Sequence, residues 1–300
     1  MSNKNFAPRA TRYHAYNAWL LSQMSNIVYE QPNTWPIALK PLGFRLVKRL
    51  NADVTQAFVA TDGRVRILVF RGTEFSEPMD IVADARARLV PGPWGKVHRG
   101  FNEELDEVWD ELIEFLKTPQ KESLWITGHS MGAAMALLTA ARLKVQGIPV
   151  QGIYAYAAPR VGNPDFCSRY DKALRHRTWR FMNDNDIVTR LPAKSMGYGH
   201  IGRLIFFDCH GDRRPNRPQA KWLRAKLADF KDELGDGLPE AISDHFLANY
   251  IAATTKELDE SLKTGKKKAT AEQTSVSNQT VTKAQKAQLQ RLKRPAPNKS

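Results

Sequence analysis

Hydrophobic positions along this 300-residue chain switch between two spacings, and each switch marks an element. Tyr16 to Tyr29 carries apolar residues at helical intervals and is stopped by Gln31-Pro32, which predicts an N-terminal helix. Phe58-Val59-Ala60 and Val65 to Phe70 are short runs of strand-forming residues flanking Asp62-Gly63. That pair suits a tight turn, so the two runs are expected to form a hairpin. Arg71-Gly72-Thr73 follows, then a polar segment to Gly95 that reads as a loop. From Phe101 to Lys117, Phe101, Leu105, Val108, Leu112 and Phe115 fall on one helical face. Acidic residues crowd its first turns and Lys117 closes it, as the helix dipole favours.

The second half repeats a strand–helix alternation. Leu124 to Thr127 reads as a buried strand, Ala133 to Lys144 as a helix whose alanines permit close approach to a sheet, and Ile153 to Ala157 as a strand. Asp171 to Arg177 fits a helix end, and Thr178 to Met182 and Arg203 to Phe207 are further strands. Such alternation predicts an α/β fold with a mostly parallel central sheet and helices on both faces.

Composition is that of a globular protein, and no run approaches the roughly 18–20 apolar residues needed to cross a bilayer. Lys4, Arg9 and Arg12 are not followed by an unbroken apolar stretch, so no Sec signal is expected. The expected location is the cytoplasm, or outside the cell by a leaderless route. Cys167 and Cys209 are expected to be two unbridged thiols. The chain has no C-x-x-C and no H-E-x-x-H, and neither a metal nor another cofactor is predicted.

The net charge of +14 is unevenly placed. Residues 256–300 hold eleven Lys or Arg against four Asp or Glu, with almost no aromatic or branched apolar content. Such a segment cannot bury enough apolar surface to offset its ordering entropy. This predicts a folded domain over 1–255 and a disordered basic tail over 256–300. The tail lacks interleaved aromatics, which argues against base recognition in nucleic acid and leaves an anionic membrane as the partner to weigh.

Gly128-His129-Ser130-Met131-Gly132 matches G-x-S-x-G, and it sits where an apolar strand gives way to a helix. In that setting the serine is forced onto a sharp turn and its hydroxyl projects past the sheet edge. A side chain at either glycine would collide with the neighbouring strand or helix. A serine hydroxyl needs a base to take its proton, and a histidine base needs a carboxylate on its other nitrogen. In chain order these follow the serine as Asp or Glu and then His. Asp186 lies directly after the Thr178–Met182 strand, with Asp184 as second choice. His176, His200, His210 and His245 are the downstream histidines, and His245 precedes a helical run to Ala253.

Several blocks together resemble the class 3 (fungal-type) triacylglycerol lipases, over roughly residues 15–254. Phe70-Arg71-Gly72-Thr73 resembles that family's oxyanion strand-end, Val97 to Phe101 its next block, and Gly128 to Gly132 its elbow. Ala158 to Asn163, Asp186 to Pro192, and Asp244-His245 with Tyr250 are similar to later blocks. The resemblance implies an α/β-hydrolase fold with Ser130 as nucleophile, Asp186 as orienting acid and His245 as base. It also implies an oxyanion hole from Met131 N–H and Thr73, and a lipid or small-molecule ester substrate.

Two departures from the family pattern stand out. Glu74 to Gly95, where the family has an amphipathic lid, is polar here. Gly211 to Pro239 is basic and places Trp222, Leu223, Leu227, Phe230 and Leu234 on one helical face, a pattern suited to a lipid surface. The expected function is cleavage of acyl-glycerol or related carboxylic esters. Phospholipase A1, short-chain esterase, and a non-catalytic hydrolase scaffold with a binding tail are the competing readings.

Overall fold

The structure, a computed structural model, describes residues 5–52, 55–72, 87–118, 121–215 and 242–264. The lid-like residues 74–86, the predicted basic helix with Trp222, Leu227 and Phe230, and the tail beyond 264 lie outside the described residues, as does Thr73. By chain contacts the protein divides into Met1–Glu257 and Leu258–Ser300.

The predicted hairpin forms between β2 (Gln56–Thr61) and β3 (Val65–Phe70), paired antiparallel from Thr61↔Arg66 to Ala57↔Phe70. Gly63 takes φ +86°, and Asp62 Oδ1 accepts from the main-chain N–H of Arg64 (2.8 Å) and Val65 (3.0 Å). Outside this hairpin lies β1 (Arg45–Asn51), a strand the sequence pattern did not predict. It is an edge strand bearing Arg45, Lys48 and Arg49, and such charges suit an unpaired edge while hiding its alternation.

From β3 inward the sheet is parallel, through β6 (Ser123–His129), β7 (Gly152–Tyr156), β8 (Thr178–Asn183) and β9 (Arg203–Phe207). The short β10 (Arg213–Arg214) pairs antiparallel at the far edge, so the strand order is β1-β2-β3-β6-β7-β8-β9-β10. The remaining strands, β4 (Leu89–Gly92) and β5 (Gly95–His98), form a separate hairpin. This corrects the reading of the segment to Gly95 as loop throughout. Proline and glycine occupy half of the first strand, and its side chains are only partly buried, so strand periodicity is absent there.

Successive side chains of a strand point to opposite faces, and here each face meets its own helices. Ala57, Val59, Leu68, Phe70, Leu124, Ile126 and Ile153 form one core with α3 (Arg99–Lys117), α4 (Met131–Val145) and α5 (Pro164–Leu174). On the other face α1 (Ala15–Ile27) and α2 (Trp35–Leu39) lie against the alternate residues. Trp35 packs on Phe58 with ring centroids 5.2 Å apart, and Ser25 reaches Thr127 at 3.2 Å. The α/β-hydrolase expectation holds: a mostly parallel sheet with helices on both faces.

Helix ends differ from expectation by a residue or two, for a local reason. In α3 the cap is His98, whose Nδ1 accepts from Phe101 N–H at 3.3 Å, so the helix begins at Arg99 and the acidic residues fall in its second turn. The last described helix, α6 (247–264), continues well past residue 255. Among the described residues no helix is long and apolar enough to cross a membrane.

Candidate active site

Register aligns the carboxyl ends of the parallel strands, with Phe70 beside Gly128, His129 beside Tyr156 and Asn183 beside Phe207. The segments that follow β3, β6 and β8 therefore emerge at one edge of the sheet. These carry Gly72, Ser130 and Asp186.

Ser130 joins β6 to α4 with φ 57° and ψ −127°, a conformation that side-chain-bearing residues rarely adopt. Both flanking glycines are needed for it. A Cβ at Gly128 would lie 2.5 Å from the main chain of Gly132, and one at Gly132 would lie 2.4 Å from the carbonyl oxygen of Phe70. The turn is pinned by Ser130 N–H donating to Tyr156 O at 2.9 Å, while Ser130 O accepts from Ala133 N–H at 3.0 Å and starts the helix. Ser130 is fully buried, and its Oγ has no hydrogen-bond partner among the described residues. The structure thus places Ser130 at the site edge without a bond to His245. Hydrogen bonds between nucleophile and base are commonly long before substrate is bound.

Asp186 sits in the turn after β8, completely buried. Its carboxylate accepts from His245 Nδ1 at 2.9 and 3.0 Å, from Val188 N–H at 2.9 Å and from the Tyr250 hydroxyl at 2.5 Å. His245 is buried as well, whereas His176 and His210 are exposed. The second-choice carboxylate, Asp184, stands two residues back with φ 25° and its N–H on Phe207 O at 2.8 Å. The two loops are joined by more than the Asp186–His245 hydrogen bond. Asn185 N–H donates to Asp244 Oδ2 at 3.0 Å, and Asn183 Nδ2 to Asp244 O at 3.2 Å. Arg160, from the Ala158–Asn163 block, holds the far side of the aspartate loop through its bonds to Pro192 O (2.6 Å) and to Arg190 O.

Tyr250 has a part that motif reasoning did not assign. It lies on the buried face of α6, and its hydroxyl accepts from Asn183 N–H at 3.0 Å while donating to Asp186. Burial first, and the Asp186 carboxylate second, push its pKa well above the usual tyrosine value, so it remains a donor. Of the two expected oxyanion residues, Met131 is the first residue of α4, at the end of the helix whose dipole favours negative charge. Thr73 lies outside the described residues. The preceding Gly72 does reach the elbow: a Cβ there would stand 3.4 Å from Ser130 Cβ. Among the described residues no group of three or more His, Cys, Asp or Glu is placed to hold a metal ion.

A buried carboxylate–imidazole pair, a serine on a strained turn and a helix N-terminus at one sheet edge can move a proton off a hydroxyl and hold negative charge on a substrate oxygen. Part of the chain is similar to known proteins. Residues 67–196 match the model of the family described as lipase (class 3). Secreted mono- and diacylglycerol lipase A of Penicillium cyclopium is 34% identical over 134 residues, covering 45% of this chain and 43% of that protein. A lipase of Rhizomucor miehei is 34% identical over 148 residues, covering 45% and 39%. The chain thus spans half or less of the length of these two curated relatives. Among solved structures, the mono- and diacylglycerol lipase of Aspergillus oryzae superposes with a TM-score of 0.57 at 25% identity, over 65% of this chain and 80% of that one. Over residues 67–196 the chain is thus similar to the class 3 lipases, set in a fold it shares with solved α/β-hydrolases of that kind.

Proposed function

We propose that the protein is a serine ester hydrolase of lipase type, cleaving acyl-glycerol or related carboxylic esters. The observation that carries this reading is the buried Asp186–His245 pair, which stands at the sheet edge from which the Ser130 turn also emerges. In the proposed reaction His245 Nε2 takes the proton of Ser130 Oγ as that oxygen attacks the ester carbonyl. Asp186 holds the other ring nitrogen and stabilises the imidazolium. Met131 N–H and Thr73 receive the carbonyl oxygen as it becomes an oxyanion. The proton passes to the departing alcohol, leaving an acyl group on Ser130. Water, deprotonated by the same imidazole, then releases the acid. The acyl-glycerol class is taken from the names of the relatives, two of which are mono- and diacylglycerol lipases.

A fluorophosphonate probe should label Ser130, with the adduct located by mass spectrometry. The wild-type protein should hydrolyse p-nitrophenyl esters and emulsified mono- or diacylglycerol. Cleavage of phosphatidylcholine in preference to both would replace the acyl-glycerol reading with a phospholipase, and an unlabelled Ser130 would end the serine mechanism. Attraction to anionic membranes is a further part of the proposal, supported by the basic composition of residues 265–300, which hold nine Lys or Arg against one Glu. Sedimentation with phosphatidylserine vesicles should show binding that weakens as salt rises. A protein left in the supernatant at low salt removes that part.

A further inference from the structure

His129 is a buried titratable group that the proposed reaction does not use. It is the last residue of β6, immediately before Ser130. Its Nε2 lies 2.8 Å from the main-chain carbonyl oxygen of His245, and its Nδ1 lies 3.0 Å from the hydroxyl of Tyr29. A carbonyl oxygen can only accept, so Nε2 carries the hydrogen, and Nδ1 is left to accept from Tyr29. We propose that His129, set by Tyr29, is a positioning residue that ties the backbone of the base to the residue next to the nucleophile. This rests on the hydrolase reading above.

Three observations support it. First, the contact joins the segments whose relative placement the reaction depends on: the elbow on one side and the His245 loop on the other. The two rings also pack together, with centroids 4.8 Å apart. Second, the surroundings keep His129 in one protonation state. It faces Tyr29, the His245 ring and, at 6.0 Å, the Tyr250 ring, with no carboxylate among these partners. Burial first, then the charge of His245, push its pKa well below the ordinary value of 6.5. A neutral imidazole with one donor and one acceptor nitrogen matches one acceptor and one donor around it. Third, Tyr29 also meets the oxyanion strand-end. A Cβ on Gly72 would lie 2.3 Å from its hydroxyl and 2.6 Å from His129 O, and the Arg71 guanidinium stands 5.7 Å from its ring centre. One tyrosine–histidine pair thus touches the oxyanion strand-end, the elbow and the base.

The two amide residues separate these roles. Gln at 129 can bring an N–H to where Nε2 stood, whereas Asn reaches only the position of Nδ1. His129→Asn should lower kcat for a soluble p-nitrophenyl ester, and the phosphonylation rate of Ser130, by about tenfold or more with KM nearly unchanged. His129→Gln should restore most of that loss. Equal losses in the two variants, losses that track thermal stability, or a rise in KM with kcat intact would each overturn the proposal. If neither variant folds, Tyr29→Phe decides, since it keeps the ring and removes only the hydroxyl. Its kcat should fall by about threefold, the scale of one neutral hydrogen bond, and full activity would overturn the inference. A wild-type protein that neither labels nor hydrolyses ends the underlying reading. A wild type that does both, beside an unimpaired His129→Asn, ends this inference alone.

Discussion

The Ser130 elbow and the Asp186–His245 pair stand at the same sheet edge but are held by different means. The elbow is fixed by covalent neighbours and close approach: two glycines within van der Waals overlap distance of main chain, one positive φ, and a helix that starts on the serine carbonyl. The pair is fixed by side-chain hydrogen bonds between segments 59 residues apart, with Asn183, Asn185, Asp244 and Tyr250 supplying the links. Sterics tolerate no substitution without moving backbone, whereas hydrogen bonds can be removed one at a time. Damage to the elbow should therefore appear first as lost stability, and damage to the pair first as lost activity.

The largest effect is expected on the pair. His245→Ala should reduce kcat nearly to that of Ser130→Ala, because such groups act as a unit, and Asp186→Asn should cost about 10⁴ in kcat. Both should retain a wild-type circular dichroism spectrum. If His200→Ala is the inactive variant instead, the assignment of the base is wrong. Next comes the elbow. Gly132→Ala forces a methyl to within 2.4 Å of Phe70 O and should destabilise the fold by about 1–3 kcal/mol in chemical denaturation. A stable Gly132→Ala protein would remove the steric half of the comparison.

Tyr250→Phe is a smaller test. It leaves an Asp186 oxygen and the Asn183 N–H each short of one partner, and kcat should fall by about tenfold with little change in KM. An unchanged kcat would show that Val188 and His245 alone suffice to hold the carboxylate. The smallest effect concerns the C-terminus. Truncation after residue 264 should leave both thermal stability and ester hydrolysis as they are. Truncation after Thr255 should lower stability measurably, because it removes Glu257, bonded to Arg213 at 2.9 Å and to Tyr13, and Lys256, which pairs with Asp212. Equal stability of the two truncations would return the domain end to residue 255.

What the sequence determined by itself is local. The β2–β3 hairpin, the alternation from β6 to β9 and the glycine-flanked serine all follow from short-range pattern. Turn chemistry, periodicity and the collision of a Cβ with adjacent backbone act within a few residues. The edge strand β1 and the β4–β5 hairpin escaped because edge charges and proline–glycine content erase the alternation that marks a strand. The choice of Asp186 over Asp184, and of His245 over His200, was secured by resemblance and not by spacing alone. Only tertiary structure could bring Asp186 to His245 and set Tyr250 and Tyr29 behind them. These contacts join residues 59 to 116 positions apart, and no periodicity in a chain encodes which distant hydroxyl will meet a buried carboxylate or imidazole.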